Sequence, residues 1–376
     1  MGIKAGLVGL PNVGKSTLFN ALTKSCIPAE NYPFCTVDPH VAITNVPDEK
    51  LEKLTAIFNS AKTIPTTVQF VDIAGLVKGA AQGEGLGNQF LSNIMGVDLI
   101  LHILRCFEDP NITHVHNEIN PIDDFETVIS ELMLKDLESV EKREEKLKAT
   151  LIKAKSKQLS ANEIKTLENE QELLKQAKVF LNKGNFQELQ KLINEKKEVG
   201  IETIPLLSSK NFLIIANLSE DDFAGKNYTE NKYYKDLLNK FGPEKVIPVS
   251  AKIEFELAQL DDEEKVEMLE SLDIQESGLD NIIKKAYKSL NLITFFTCGP
   301  KESHAWSIKK GKTIHQASGE IHSDIQRGFI CAEVYNYDDL IKFKTEHAVK
   351  EAGKLKIEGK DYIMQEGDII HVRFNI

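Results

Sequence analysis

The chain carries Gly9-Leu10-Pro11-Asn12-Val13-Gly14-Lys15-Ser16 between a short apolar run and a segment whose apolar residues recur at helical spacing. Ile3, Leu7, Val8 and Leu10 predict a buried strand, and Leu18, Phe19, Ala21 and Leu22 predict a helix starting at about Lys15. In that strand–loop–helix context, G-x-x-x-x-G-K-S is a phosphate-binding loop. Gly9 and Gly14 let the backbone curl until the amides of Val13, Gly14, Lys15, Ser16 and Thr17 converge on phosphate oxygens. The N-terminus of the following helix adds positive potential. Lys15 supplies a point charge for the β- and γ-phosphates, and the Ser16 hydroxyl is placed to ligate Mg²⁺.

Other segments fall where a nucleotide domain needs them. Asn31-Tyr32-Pro33-Phe34-Cys35-Thr36 stands where a first switch loop belongs, and Thr36 can close on Mg²⁺ and the γ-phosphate. Val68 to Gly75 reads as a strand ending in D-x-x-G. Asp72 is placed to hold a Mg²⁺-bound water, and the Gly75 N–H to sense the γ-phosphate. Gly79, Gly83, Gly85 and Gly87 extend this second switch. Position 76, where Ras-type GTPases carry the water-orienting glutamine, is Leu76. Gln82 and His114 are the candidates to position water instead. Further on, 212–216 predicts a buried strand with Asn217-Leu218-Ser219-Glu220 at its carboxyl end, the edge at which open α/β sheets bind ligands. A guanine site of the N-K-x-D type has a lysine where this chain has Leu218 and an aspartate where it has Glu220. Adenine lacks the N1–H and 2-amino donors that such an aspartate recognises, so the departure points to adenine. Ser250-Ala251-Lys252, after a strand at 246–249, reads as the loop over the base.

Composition sets the wider frame. At 376 residues, with 41% hydrophobic and 27% charged residues, two or three globular domains are expected. No apolar run reaches the roughly 18 residues of a membrane span, and Met1-Gly2-Ile3-Lys4 leads directly into the first strand, without a cleavable signal. Five scattered cysteines (26, 35, 106, 298 and 331) fit reduced thiols in a cytoplasm. A net charge of −11 argues against simple coating of nucleic acid. Residues 142–157 nevertheless hold seven Lys/Arg against two Glu, which suits either a solvated helix face or contact with a polyanion.

Between Pro121 and Pro205 there is no proline. Leu132, Val140, Leu147 and Leu151 mark one stripe, and Ile164, Leu167, Leu174, Ala177 and Leu181 another. This predicts two long antiparallel helices broken near 158–162, with a third helix at 186–193. From about residue 290, short alternating runs at 294–297, 305–308, 329–334 and 369–374, with a helix at 337–345, predict a small mixed β domain. Lys309, Lys310 and Lys312 beside Trp306 offer this domain a nucleic-acid contact. The fold class is α/β: a P-loop nucleotide domain with a mostly parallel sheet (1–125 and 205–289), an inserted helical coiled-coil arm (126–204) and a C-terminal β domain (290–376).

The phosphate loop, Asn31 to Thr36, Asp72-Ile73-Ala74-Gly75-Leu76-Val77-Lys78-Gly79-Ala80, the glycine-rich run 83–90 and Asn217 to Glu220 together resemble the Obg-like ATPases of the YchF family. The resemblance spans nearly the whole chain. It implies a TRAFAC-class domain hydrolysing ATP in preference to GTP, a C-terminal ubiquitin-like β-grasp similar to TGS domains, and association with ribosomes. It assigns Ser16 and Thr36 to Mg²⁺ and Leu218 to the adenine. It also matches His114 to the family's loop histidine and Asn12 to an asparagine that holds K⁺ in related enzymes. The expectation is therefore a cytoplasmic Mg²⁺-dependent ATPase switch that meets the ribosome, with RNA contact through the arm and TGS domain and no membrane partner. Its rivals are a GTPase of the translation-factor kind and a non-catalytic, nucleotide-gated ribosome-binding module.

Overall fold

The computed structural model describes residues 3–24, 40–73, 92–114, 118–156, 160–198 and 204–375. Its first sheet is built from β1 (Ile3–Val8), β2 (Val41–Asn45), β4 (Thr67–Asp72), β5 (Leu99–Arg105), β6 (Asn211–Asn217) and β7 (Val246–Val249), in the order β2-β4-β1-β5-β6-β7. Only β2 runs antiparallel, against β4; the other pairs are parallel. All seven residues of β5 are buried, as befits a central parallel strand covered on both faces. Register aligns the carboxyl ends: Leu7 pairs with Asp72, Val8 with His102, Arg105 with Asn217, and Asn217 with Val249. The residues singled out on separate strands thereby meet at one edge.

The arm comprises helices Pro121–Ser156, Ala161–Asn182 and Phe186–Glu198. Ser160 opens the second with a reciprocal capping box to Glu163. Leu132, Val140 and Leu147 on one helix, and Leu174, Ala177 and Leu181 on the next, are buried along the expected seam. Arg143 forks onto Glu170 across the pair at 2.5 and 3.0 Å. The first helix begins upstream of residue 126 because its first turns are rooted in the nucleotide domain. Phe125 packs against His102, Phe212 and Phe241 at centroid distances of 4.8, 5.3 and 4.7 Å. Where the chain returns, buried Asp136 accepts from the Leu207 and Ser208 amides and the Ser208 hydroxyl at 2.8, 2.8 and 2.6 Å.

A second sheet has the order β11-β10-β12-β8-β9-β3. It takes β3 (Thr63–Ile64), β8 (Leu292–Cys298), β9 (Ser303–Lys309), β10 (Phe329–Asn336), β11 (Lys356–Glu358) and β12 (Asp368–Phe374). β12 lies parallel to β8, and helix Ile314–Ile321 packs into the core on one face. The expected helix at 337–345 is present as Tyr337–Phe343.

The opposite face brings a difference from the linear division into domains. Helix Glu49–Phe58, between β2 and β4, buries Leu51 and Leu54 with Phe296, Ala305, Tyr335 and Leu340 of the second sheet. β3 then pairs parallel with β9, and the Ser60 hydroxyl bonds the Gly299 carbonyl and Ser303 hydroxyl, both at 2.8 Å. The excursion forms because Leu51 and Leu54, spaced i,i+3, need an apolar partner that the first sheet does not offer them. Among the described residues no helix is long and apolar enough to cross a membrane.

Candidate functional site

β1 delivers the chain into the loop, and the helix Lys15–Lys24 begins at the predicted residue. Gly14 has φ +94°, and a Cβ there would stand 2.2 Å from Asn217 Nδ2. At Gly9 a Cβ would stand 2.7 Å from the Ile103 carbonyl oxygen. Glycine is thus required once for conformation and twice for close approach. Asn12 adopts φ +65°, a left-handed conformation that asparagine tolerates better than most residues.

Asn217 holds the edge together. Its Nδ2 donates to the Val13 carbonyl at 2.8 Å, and its Oδ1 accepts from the Ala251 amide at 2.9 Å. One buried side chain therefore ties the phosphate loop to the segment after β7. That segment is not the expected loop: Ser250 is the N-cap position of helix Ala251–Leu257, whose start is fixed by the Ala251 bond. The Ser250 hydroxyl is buried without a protein partner, an orphaned polar atom beside the place proposed for a base.

Lys15 contacts the Asp72 carboxylate directly, so the phosphate-loop cation and the expected metal-site carboxylate lie together. Ser16 is exposed and Thr17 half-buried on the first turn of the helix. Leu218 is buried and its amide bonds the Val249 carbonyl at 2.8 Å. Glu220 is drawn to Lys252, Oε2 to Nζ 2.5 Å, and that contact raises the lysine's pKa. The carboxylate that departs from the guanine pattern thus has a cation of its own. Thr36, Gly75, Leu76 and Gln82, with Cys26 and Cys35, lie outside the described residues. Cys106, Cys298 and Cys331 are free thiols, and burial pushes the Cys106 thiol far up.

His114 is not an open, solvent-exposed histidine. It is buried, and its Nε2 lies 3.0 Å from Oδ2 of Asp124, in the first turn of the arm's first helix. The preceding carbonyl, of Thr113, accepts from Asn12 Nδ2 at 3.2 Å. The loop of His114 therefore abuts the phosphate loop while its ring is anchored at the arm's root.

Two residues of this region, Arg105 and Asp124, were not singled out from sequence, and a third, Lys252, was read only as part of a loop over the base. Arg105, at the end of β5, is buried and donates to the Phe107, Ile112 and Asp109 carbonyls at 3.1, 2.9 and 3.2 Å, fixing the loop that leads to His114. A cation closing a strand that is apolar but for His102 was its only signal. Asp124 gave none, and the sequence did not show Lys252 as the partner of Glu220, because both roles depend on contacts with other segments.

The oxygen donors available, a serine hydroxyl and an aspartate carboxylate, are hard ligands of the kind Mg²⁺ prefers, and the Ser250 hydroxyl matches a base edge in want of partners. The residues present fit a Mg²⁺–nucleotide.

Residues 4–153 match the family model described as 50S ribosome-binding GTPase, and residues 292–375 match the C-terminal YchF-GTPase family, described as a protein of unknown function. The chain is 48% identical to the ribosome-binding ATPase YchF of Bacillus subtilis and 45% identical to that of Escherichia coli O157:H7, in each case over 100% of both chains. The solved structure of the Schizosaccharomyces pombe YchF GTPase superposes with a TM-score of 0.81 at 37% identity, covering 99% of this chain and 98% of that one. With sequence likeness along its full length and the same architecture, the chain belongs to the YchF family.

Proposed function

We propose that this protein hydrolyses ATP to ADP and phosphate with Mg²⁺, acting as a switch that binds ribosomes in the cytoplasm. The relatives named ribosome-binding ATPases support that reading. The observation that carries the choice of adenine is the edge at Asn217, Leu218 and Glu220: an apolar side chain replaces the lysine, and the carboxylate pairs with Lys252 at 2.5 Å. The position from which an aspartate would read guanine N1–H and the 2-amino group holds Glu220, which pairs with Lys252 instead.

In this reading the amides of Val13, Gly14, Lys15, Ser16 and Thr17 cradle the phosphates, and Lys15 moves from Asp72 to the β- and γ-oxygens. Ser16, Asp72 and Thr36 would hold Mg²⁺, whose charge would offset that of the transferring phosphoryl group. Asn12, whose Nδ2 is committed to Thr113, offers its Oδ1 to K⁺. Gly75 senses the γ-phosphate, and His114 orients the attacking water. Asn217, Leu218, Ser250 and Ala251 line the base. The nucleotide domain comprises 1–125 and 205–289 apart from the excursion at 49–64, which joins the second sheet, and the arm (126–204) and TGS-like domain (290–376) meet ribosomal RNA.

A GTPase is the rival reading, favoured by the name of the fission-yeast relative. Competition of ATP and GTP for the site at matched Mg²⁺ decides between them, and tighter GTP binding overturns the adenine assignment. Single-turnover phosphate release with and without ribosomes, in K⁺ and then Na⁺, tests hydrolysis. No release under any condition leaves a nucleotide-gated binding module.

A further inference from the structure

We propose that Asp124 is the positioning residue for His114, setting the ring's tautomer from the first turn of the arm helix. The inference rests on the reading above in which His114 orients water.

The His114 and Asp124 side chains are 4% and 1% exposed, and Nε2 and Oδ2 are 3.0 Å apart. A carboxylate so far from water needs a donor, and the ring nitrogen facing it is the one that carries hydrogen. In the neutral ring the lone pair then resides on Nδ1, which makes that nitrogen the acceptor. Neither end of the pair is loose. The Asp124 amide donates to the Asn120 carbonyl at 3.0 Å, and the next residue, Phe125, is locked in the aromatic cluster beneath the arm. On the other side Thr113 is held by Asn12 of the phosphate loop. His114 therefore has its backbone tied to the phosphate loop and its ring tied to the arm.

An asparagine at 124 is nearly isosteric but presents an amide that can donate to Nε2. It favours the tautomer protonated on Nδ1 and turns the acceptor into a donor, the logic by which the aspartate of a serine-protease triad holds its histidine. A pair that merely roots the arm would lose stability on this change without any link to turnover.

The test uses the full chain with Asp124→Asn, Asp124→Glu and His114→Ala, measuring saturated ATP turnover, ATP affinity and the imidazole ¹⁵N shifts of His114. Asp124→Asn is expected to lower kcat at least about tenfold, with ATP affinity unchanged and the proton moved from Nε2 to Nδ1. Asp124→Glu, which keeps an acceptor, is expected to recover much of the rate. Wild-type turnover in Asp124→Asn, or lost turnover with the tautomer unmoved, overturns the proposal while leaving His114's role standing. Wild-type turnover in His114→Ala overturns that role and the proposal with it. Should Asp124→Asn fail to fold, the wild-type spectrum decides: a proton on Nε2 supports the proposal and a proton on Nδ1 refutes it.

Discussion

Removing the Asn217 amide tests whether one side chain joins the phosphate loop to the base side of the site. In Asn217→Ala the Val13 carbonyl loses its 2.8 Å partner and the Ala251 amide its 2.9 Å partner, both in a buried place. An orphaned buried group costs about 1–3 kcal/mol, so the pair predicts a loss of about 2–6 kcal/mol in unfolding free energy. Asn217→Asp keeps the acceptor for Ala251 but sets a carboxylate oxygen against the Val13 carbonyl, replacing a bond with repulsion and burying a charge. It is expected to cost at least as much as the alanine, although it is the smaller chemical change. A loop no longer latched must be ordered at the expense of binding, and about 1.4 kcal/mol of that ordering weakens ATP tenfold. Urea unfolding without nucleotide measures the first quantity and calorimetric titration of ATP the second. If Asn217→Ala unfolds within about 0.5 kcal/mol of wild type, within the range of an ordinary surface substitution, and binds ATP unchanged, the latch does not exist.

Three further outcomes follow from other buried groups. Burial among aromatic rings lowers the His102 pKa to about 3, so the stability it confers is present above its ordinary value of 6.5 and is lost as pH falls toward 3. Between pH 7 and pH 5 wild type should lose about 2 kcal/mol that His102→Leu does not, a difference readable in parallel denaturation curves. Glu254 behaves oppositely. Burial raises it to about 7 even though the Gly278 amide donates to it at 2.6 Å, so its contribution is full below pH 4.5 and lost as pH rises through 7. Glu254→Gln should flatten that loss, worth about 3 kcal/mol, and superimposable pH–stability profiles would count against it. Leu54→Ala, at a fully buried site, should cost about 2–5 kcal/mol and lower amide protection in β8 and β9. Hydrogen exchange confined to residues 46–66 would show that the helix Glu49–Phe58 is not part of the second sheet's core.

The elements legible in the sequence were those whose cause is local. Gly9 to Ser16 specifies its own turn, and Leu132, Val140 and Leu147 announce a helix face by their spacing; the structure places both as expected. What escaped was decided by partners far along the chain. Leu51 and Leu54 look like an ordinary amphipathic helix until β9, some 240 residues later, supplies the strand that β3 joins. Ser250 to Lys252 carries no signal for helix or loop by itself; the Asn217 side chain, 34 residues upstream of Ala251, fixes the first amide of the helix. His114 shows most clearly how this limits functional reading. Its residue type suggested chemistry, whereas its orientation is set by a carboxylate on a different element. Periodicity could reveal the arm helix but could not reveal that its first turn holds a ring of the nucleotide domain. Close packing transmits strain, and the root of the arm is linked to the loop beside the phosphates through the His114–Asp124 and Thr113–Asn12 contacts.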